Sequence, residues 1–195
     1  MIRTKIHIGE IYASSKPAVV ETILGSCVSV CLYDELKRIG GMNHILLPGK
    51  ADLGRFDKGA RYGINAMEML INKLMKIGAR RKMLRAKLFG GAHIIQSLQK
   101  ENSPGLKNIS FIEKFMELEG IPIVSRDTGG VNARKIHFHT HSGDVYVKTL
   151  PAFHFPTISW EEDHFKRKVQ KELLKTSSDS LLFDPSTKSR KGARK

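Results

Sequence analysis

Short apolar runs bounded by polar or glycine-containing turns, a pattern typical of β-strands, occur at several places in the first 150 residues. The turn at Lys16-Pro17 joins the first two predicted strands, and a polar turn centred near residue 36 joins the next two as a hairpin. Ser142-Gly143-Asp144 predicts a second hairpin turn. The predicted strands span residues 5–9, 18–23, 27–33, 39–47, 85–89, 121–124, 135–141 and 145–150.

The pattern changes to a helical period over residues 61–77, where apolar side chains recur on one face. A second helix is predicted from Ser110, which forms a Ser-x-x-Glu capping box with Glu113, to Gly120. Residues 161–175 fit a basic amphipathic helix. Helical segments are therefore fewer than strands and do not alternate regularly with them.

This element order predicts an α+β fold in which β-sheets pack as layers with flanking helices in a single domain. We expect a catalytic domain over residues 1–160. A basic C-terminal extension over residues 161–195 is expected to be partly helical or disordered, because its end is rich in Ser, Lys and Arg.

The formal charge of +14 is spread along the chain. Residues 161–195 contain ten Lys/Arg and six Asp/Glu, a net charge of +4, so residues 1–160 carry +10. Such a surface favours acidic partners, but a basic solubility coat is the better explanation of the charge by itself. The sequence has neither a bilayer-length apolar run nor a signal-peptide core, which predicts a cytoplasmic protein without membrane insertion.

Two cysteines, Cys27 and Cys31, lie in the third predicted strand. Four residues of strand separate their α-carbons by about 13 Å, whereas a disulfide tolerates about 7 Å, so they are not bridged. Cys27 stands at the start of the strand after Gly25-Ser26, where a side chain can face a cleft. Across a symmetrical hairpin His44 comes close to Cys27, and a register shift of one residue would put it on the other face. A structural role for both residues remains the alternative.

Several short motifs stand in order along residues 5–150. They are residues 24–34, 40–48 and 87–92, the region around Asn108, Gly120-Ile121-Pro122 and Asp127-Thr128-Gly129-Gly130. The run that contains Gly-Ser-Cys, followed by His-x-x-Leu-Pro, is the most specific of them. Together these motifs, in this order, resemble the chemoreceptor glutamine deamidases of the CheD family.

The resemblance implies a cysteine hydrolase of bacterial chemotaxis that converts glutamines on chemoreceptor helices to glutamates and releases ammonia. It also implies hydrolysis of methylated glutamates as a second reaction. Cys27 matches the nucleophile and His44 the base. Thr22 is the candidate for the threonine that orients the histidine, with Glu21 as the alternative. Backbone N–H groups near Cys27 are candidate oxyanion donors, and no cofactor is required.

Two weaker signals remain, the alternating histidines and the glycine pairs. His137, His139 and His141 alternate on one strand face, which we interpret as a solvated polar face and not as a metal site. The Gly90-Gly91 and Gly129-Gly130 pairs lack the Lys-Ser/Thr of a phosphate-binding loop and predict turns or close backbone approach.

Two other functions stay open at this point. The resemblance also implies binding to a CheC-type response-regulator phosphatase, so the protein is alternatively a non-catalytic adaptor that regulates that enzyme. The positive charge alone suggests nucleic-acid binding, which predicts a steep salt dependence. We expect no specific nucleic-acid partner.

Overall fold

The computed structural model describes residues 1–94 and 103–181, with side chains of the last helix described to residue 175. The strands are β1 (Ile2–Lys5), β2 (Ile11–Ser14), β3 (Ala18–Leu24), β4 (Val28–Asp34), β5 (Ile39–Asn43), β6 (Leu84–Gly90), β7 (Ile123–Thr128), β8 (Arg134–His139) and β9 (Val145–Thr149). The helices are α1 (Lys58–Lys76), α2 (Pro104–Glu119) and α3 (Phe155–Leu181), with short 3-10 helices at Arg81–Met83 and Ala152–His154.

The strands form two sheets. One has four strands in the order β1-β3-β8-β9, and the other has five in the order β2-β5-β4-β6-β7. Neighbouring strands are antiparallel except for the parallel pairs β1/β3 and β6/β7. The predicted α+β fold with layered sheets and flanking helices is confirmed.

Alternation along β4 divides the core into two layers. Val28, Val30 and Leu32 pack in one cluster with apolar side chains of α1 and α2. Cys27 and Cys31 belong to a second cluster, with side chains from β3 and β8 of the other sheet. Cys27 therefore faces the space between the sheets, as the period of two predicts, and both cysteines are free.

Helix α1 contains the segment for which the sequence predicted a helix over residues 61–77. It begins at Lys58 because the Asp57 carboxylate accepts a hydrogen bond from Ala60 N–H and so caps the first turn. Met67, Leu70 and Leu74 are fully buried against the five-stranded sheet. The predicted apolar stripe is therefore the face that packs on this sheet.

Three parts of the prediction were wrong. Helix α2 begins at Pro104, not at Ser110: Ser103 caps it by accepting from Gly105 N–H, and the predicted capping box lies inside the helix. The first strand covers Ile2–Lys5 in place of residues 5–9. Strand β2, a four-residue edge strand paired with β5, was missed because it is too short for its alternation to be recognised.

Helix α3 includes the predicted helical segment 161–175 and runs across residue 160. The division into a catalytic domain and an extension stays a prediction. Residues 182–195, for which the sequence suggested disorder, lie outside the described residues. Within the described part of the chain, no helix is long and apolar enough to span a bilayer.

The end of the β4–β5 hairpin is fixed by the fully buried carboxylate of Asp34. It accepts two hydrogen bonds from the Arg80 guanidinium, at 3.0 and 3.1 Å, and one each from the backbone N–H groups of Arg80 and Lys37. These hydrogen bonds, those from the Arg80 guanidinium above all, lower the pKa of Asp34 from 3.8 to about 2. The carboxylate thus joins the hairpin turn to the chain segment that precedes β6.

Asp34→Asn should lower the free energy of unfolding at neutral pH by about 1–2 kcal/mol, a figure limited by the partial exposure of Arg80. Because the folded-state pKa is lowered, this stabilisation is present above pH 3.8 and is lost as the pH falls towards 2. Urea unfolding of both proteins across this range measures it. A difference that stays constant down to pH 2 would contradict the assignment.

Candidate active site

The loop Gly25–Cys27 connects β3 to β4 and is held by its carbonyl groups. Gly91 N–H donates to Cys27 O at 2.6 Å, and Ala92 N–H donates to Gly25 O at 2.7 Å. The remaining carbonyl, that of Ser26, accepts from the Asn108 side chain at 2.8 Å. All three carbonyls are therefore bonded to the protein interior.

Gly90 permits this attachment. Its φ of +102° is in the region that favours glycine, and a Cβ built on it would lie 2.3 Å from Cys27 O. Arg134, almost fully buried, donates to the carbonyls of Gly90, Asp127 and Gly129. Gly129 N–H donates back to Gly90 O. Both glycine pairs thus serve turns and close backbone approach, as predicted.

His44 follows β5 and lies on the same face of the five-stranded sheet as Cys27. Val28 and Ile45 form an antiparallel bridge with hydrogen bonds of 2.8 and 2.9 Å, so Cys27 and His44 are the residues that precede its two members. In that register they are diagonal neighbours, with α-carbons about 7–8 Å apart. The register therefore places the two residues that the hairpin argument paired on one sheet face, as diagonal neighbours.

Thr22, on β3 of the facing sheet, contacts His44. Its hydroxyl lies 2.8 Å from Ile6 O and 2.8 Å from Nδ1 of His44. A carbonyl oxygen can only accept, so the single hydroxyl proton goes to Ile6, and Thr22 Oγ1 accepts from Nδ1–H. The Glu21 side chain instead pairs with Lys135. Thr22, not Glu21, is thus the group that orients this ring.

This tautomer leaves the lone pair of His44 on Nε2. Burial, and to a smaller extent the nearby His7, lowers the pKa of His44 from 6.5 to about 3, so the ring is neutral at pH 7. Nε2 is buried and has no hydrogen-bond partner among the described residues. Nε2 is therefore the ring position that can accept a proton, while burial opposes the charged form of the ring.

The Cys27 thiol is directed to a residue that the sequence did not single out. Glu162 of α3 is 1% exposed, and its Oε1 accepts from Ser26 N–H at 2.7 Å and Cys27 N–H at 3.1 Å. The Cys27 thiol donates to the same oxygen at 3.2 Å. Ser26 Oγ donates to Oε2 through a short hydrogen bond. Glu162 stands in an acidic run, Glu161-Glu162-Asp163, which in the sequence is typical of a solvated helix.

These contacts determine the protonation of the thiol. Burial, and then the negative charge of Glu162, raises the pKa of Cys27 well above its usual value, with Lys166 acting in the opposite direction. The thiol is therefore protonated at neutral pH. Its proton is directed to the Glu162 carboxylate, and the two titratable groups of the predicted pair are both uncharged.

A cleft of about 430 Å³ reaches His44 and Thr22. Ile6 contributes to one wall, and Ile158 and Phe165 of α3 contribute to another. Helix α3 thus borders the cleft as well as contacting the cysteine loop.

The three alternating histidines do not form a cluster with the site. His137 Nε2 lies 3.1 Å from the Glu21 carboxylate on β3. Among residues 1–94 and 103–181, no group of three or more His, Cys, Asp or Glu side chains is placed to share a metal ion. That the protein works without a metal stays a prediction.

Comparison with known proteins gives a consistent set of relatives. A family model described as CheD chemotactic sensory transduction matches residues 46–149. The chain is 38% identical over 181 residues to the probable chemoreceptor glutamine deamidase CheD 1 of Shewanella oneidensis, covering 92% of this chain and 86% of that one. It is 42% identical to the CheD of Hahella chejuensis, with 92% and 84% covered, and 48% identical to that of Caulobacter vibrioides, with 78% and 81% covered.

Replacement of Thr22 by Val, which keeps the shape but cannot accept a hydrogen bond, should release the His44 ring into a mixture of tautomers. Thr22→Ser, which keeps the hydroxyl, is the matched control and should retain the Nδ1–H form. Nitrogen-15 NMR of the imidazole distinguishes the protonated from the unprotonated ring nitrogen. A proton on Nε2 in the unsubstituted protein would contradict the assignment.

Proposed function

The chain belongs to the CheD family, and from this membership we propose that it is a cysteine-dependent deamidase that converts glutamine side chains of chemoreceptors to glutamate. The observation that carries the proposal is the hydrogen bond from His44 Nδ1 to Thr22. It leaves the Nε2 lone pair on the same sheet face as the Cys27 thiol. The reaction is then expected at the cytoplasmic helices of the receptors.

Acylation begins when His44 Nε2 takes the thiol proton and the Cys27 sulfur forms a bond with the carboxamide carbon. The carbonyl electron pair moves to oxygen, and the N–H groups of Ser26 and Cys27, which donate to Glu162 in this structure, are the proposed donors to that oxyanion. The imidazolium then gives its proton to the amide nitrogen. The C–N bond breaks, ammonia leaves and a thioester remains.

Hydrolysis reverses these roles. Neutral His44 removes a proton from a water molecule that attacks the thioester carbon. Collapse of the second tetrahedral intermediate expels the Cys27 sulfur, which recovers a proton, and the product is a glutamate carboxylate. The same steps cleave a glutamate methyl ester, with methanol in the place of ammonia, and they use no cofactor.

The backbone around Cys27 supports this assignment. Because the three carbonyls of the loop are bonded inward, the N–H groups of Ser26 and Cys27 point to the opposite side, where the thiol lies. Asn108 contributes twice: it donates to Ser26 O and accepts from Leu47 N–H, which ties the cysteine loop to the chain that follows His44. We therefore assign Asn108 a positioning role.

Cys27→Ala should abolish deamidation of chemoreceptor cytoplasmic fragments, measured as the mass gain when a glutamine becomes a glutamate. Cys31→Ala is the matched control, because Cys31 lies on the same strand face, in the interior of β4, and belongs to the same apolar cluster as Cys27. It should retain the activity. Circular dichroism checks that both variants fold.

Loss of activity in both variants, or in neither, would remove Cys27 from the proposed role. Binding of a CheC-type phosphatase, the adaptor function left open by the sequence, is measured on the same Cys27→Ala protein. Phosphatase binding by both proteins, together with no glutamine conversion by the unsubstituted protein, would favour the adaptor function over the hydrolase.

A further inference from the structure

Glu162 is a buried carboxylate on the apolar face of a helix. Ile158, Glu162 and Val169 follow one another at helical spacing, and all three are buried, whereas Glu161 and Asp163 on either side are exposed. A glutamate is almost never fully buried unless it is paired. The partners of this one are the thiol and backbone of the cysteine loop, so its position serves that loop.

The carboxylate has the chemical form of the reaction product. Deamidation of a glutamine leaves a glutamate whose carboxylate oxygen lies where the oxyanion was. Glu162 Oε1 occupies the two N–H donors that the mechanism requires, and the thiol contacts the same oxygen. Ser26 Oγ binds the second oxygen. A side chain of the substrate's own length, presented from a helix, therefore already fills the site.

A catalytic role for Glu162 does not fit these contacts. A negative charge next to a thiol opposes formation of the thiolate, and it acts here in that direction. The thiol also donates its hydrogen bond to this carboxylate, whereas the mechanism requires the thiol proton to go to His44. Both effects keep Cys27 unreactive while α3 is in place.

We propose that α3 is a built-in product analogue, with Glu162 in the subsite of the substrate side chain, and that a helix presenting a glutamine takes its place. This inference rests on the proposed deamidase function and adds the form of the substrate. The glutamine must project from a helix whose residues four before and three and seven after it are apolar or small, as Ile158, Phe165 and Val169 are around Glu162.

The first experiment makes α3 the substrate. In a Glu162→Gln variant the side chain at position 162 is a carboxamide held against Cys27. Attack by the thiol should release its nitrogen as ammonia, and water should supply the new oxygen. Incubation in oxygen-18 water followed by peptide mass spectrometry should show a labelled glutamate at position 162. The double variant Glu162→Gln/Cys27→Ala should keep the amide.

The second experiment removes the carboxylate. Glu162→Ala should increase the initial rate of deamidation of chemoreceptor fragments by about tenfold. This is the increase expected if the state with Glu162 in the subsite is favoured about ten to one over the open state. It should also accelerate alkylation of Cys27 by iodoacetamide. Glu161→Gln, which changes the neighbouring exposed carboxylate, is the matched control and should change neither rate.

The outcomes separate this inference from the function on which it rests. If the unsubstituted protein deamidates receptor fragments but Glu162→Ala is no faster, or is slower, the product-analogue role is overturned and the deamidase stands. An amide at position 162 that survives in an active enzyme also overturns it. If Glu162→Ala accelerates only alkylation and no fragment is deamidated, α3 shields Cys27 but the proposed function is wrong.

Discussion

The site depends on one constraint, which is that the loop Gly25–Cys27 has every carbonyl bonded to the protein interior. A peptide unit points its N–H opposite to its C=O, so fixing the carbonyls of Gly25 and Ser26 also fixes where the N–H groups of Ser26 and Cys27 point. The donors come from distant parts of the chain: the backbone after β6 and the side chain of Asn108 on α2. The packing of β6 and α2 therefore determines the direction of these two N–H groups.

The same folding places Thr22 of β3, Cys27 just before β4 and His44 just after β5 in the layer between the two sheets. Thr22 reaches His44 across the gap between the sheets, and the Ile6 carbonyl decides which way the hydroxyl proton points. Burial keeps the imidazole neutral and the thiol protonated. Proton transfer between them becomes favourable only when the environment changes, because separating charge in a buried site is costly. The site is thus formed before it is reactive.

Local sequence patterns predicted most of the strands and one pairing in the site, that of Cys27 with His44. Period-two alternation was enough for the β4–β5 hairpin and hence for the pairing of Cys27 with His44, because one buried face specifies the register. The Ser-x-x-Glu motif at Ser110 and Glu113 predicted the wrong helix start. The correct signal was Ser103-Pro104, an N-cap residue followed by proline. The choice between Thr22 and Glu21 needed the facing sheet, since both side chains belong to the same strand and only their direction separates them.

Glu162 was not singled out from the sequence, because the residues directly before and after it, Glu161 and Asp163, are charged. The helical spacing of Ile158 and Val169 was the one local sign of its apolar face, and the contacts that bury its carboxylate join residues 135 and 136 positions apart in sequence. Only a three-dimensional arrangement brings an acidic side chain to a cysteine loop at the other end of the domain. The basic extension that the sequence suggested as an appendage thus includes a helix that touches the reactive group.

Energetics explain how such a helix can both occupy the site and yield to a substrate. Burying a carboxylate costs several kcal/mol, and each hydrogen bond to a charged group returns about 1.5–3 kcal/mol. The donors from Ser26 and Cys27 therefore largely offset the cost, and the apolar contacts of Ile158 and Val169 add a modest preference for the closed state. Covalent connection to the domain supplies a high effective concentration.

The free energy of occupying this subsite is different for a glutamine presented by another helix. Its carboxamide is uncharged, so it enters the same subsite without the desolvation cost of a carboxylate while its oxygen still accepts from both N–H groups. After hydrolysis the product carries that cost without the advantage of covalent connection, and Glu162 then competes against it on favourable terms. The substrate therefore displaces the Glu162 carboxylate more readily than the product does, and this difference favours release of the product.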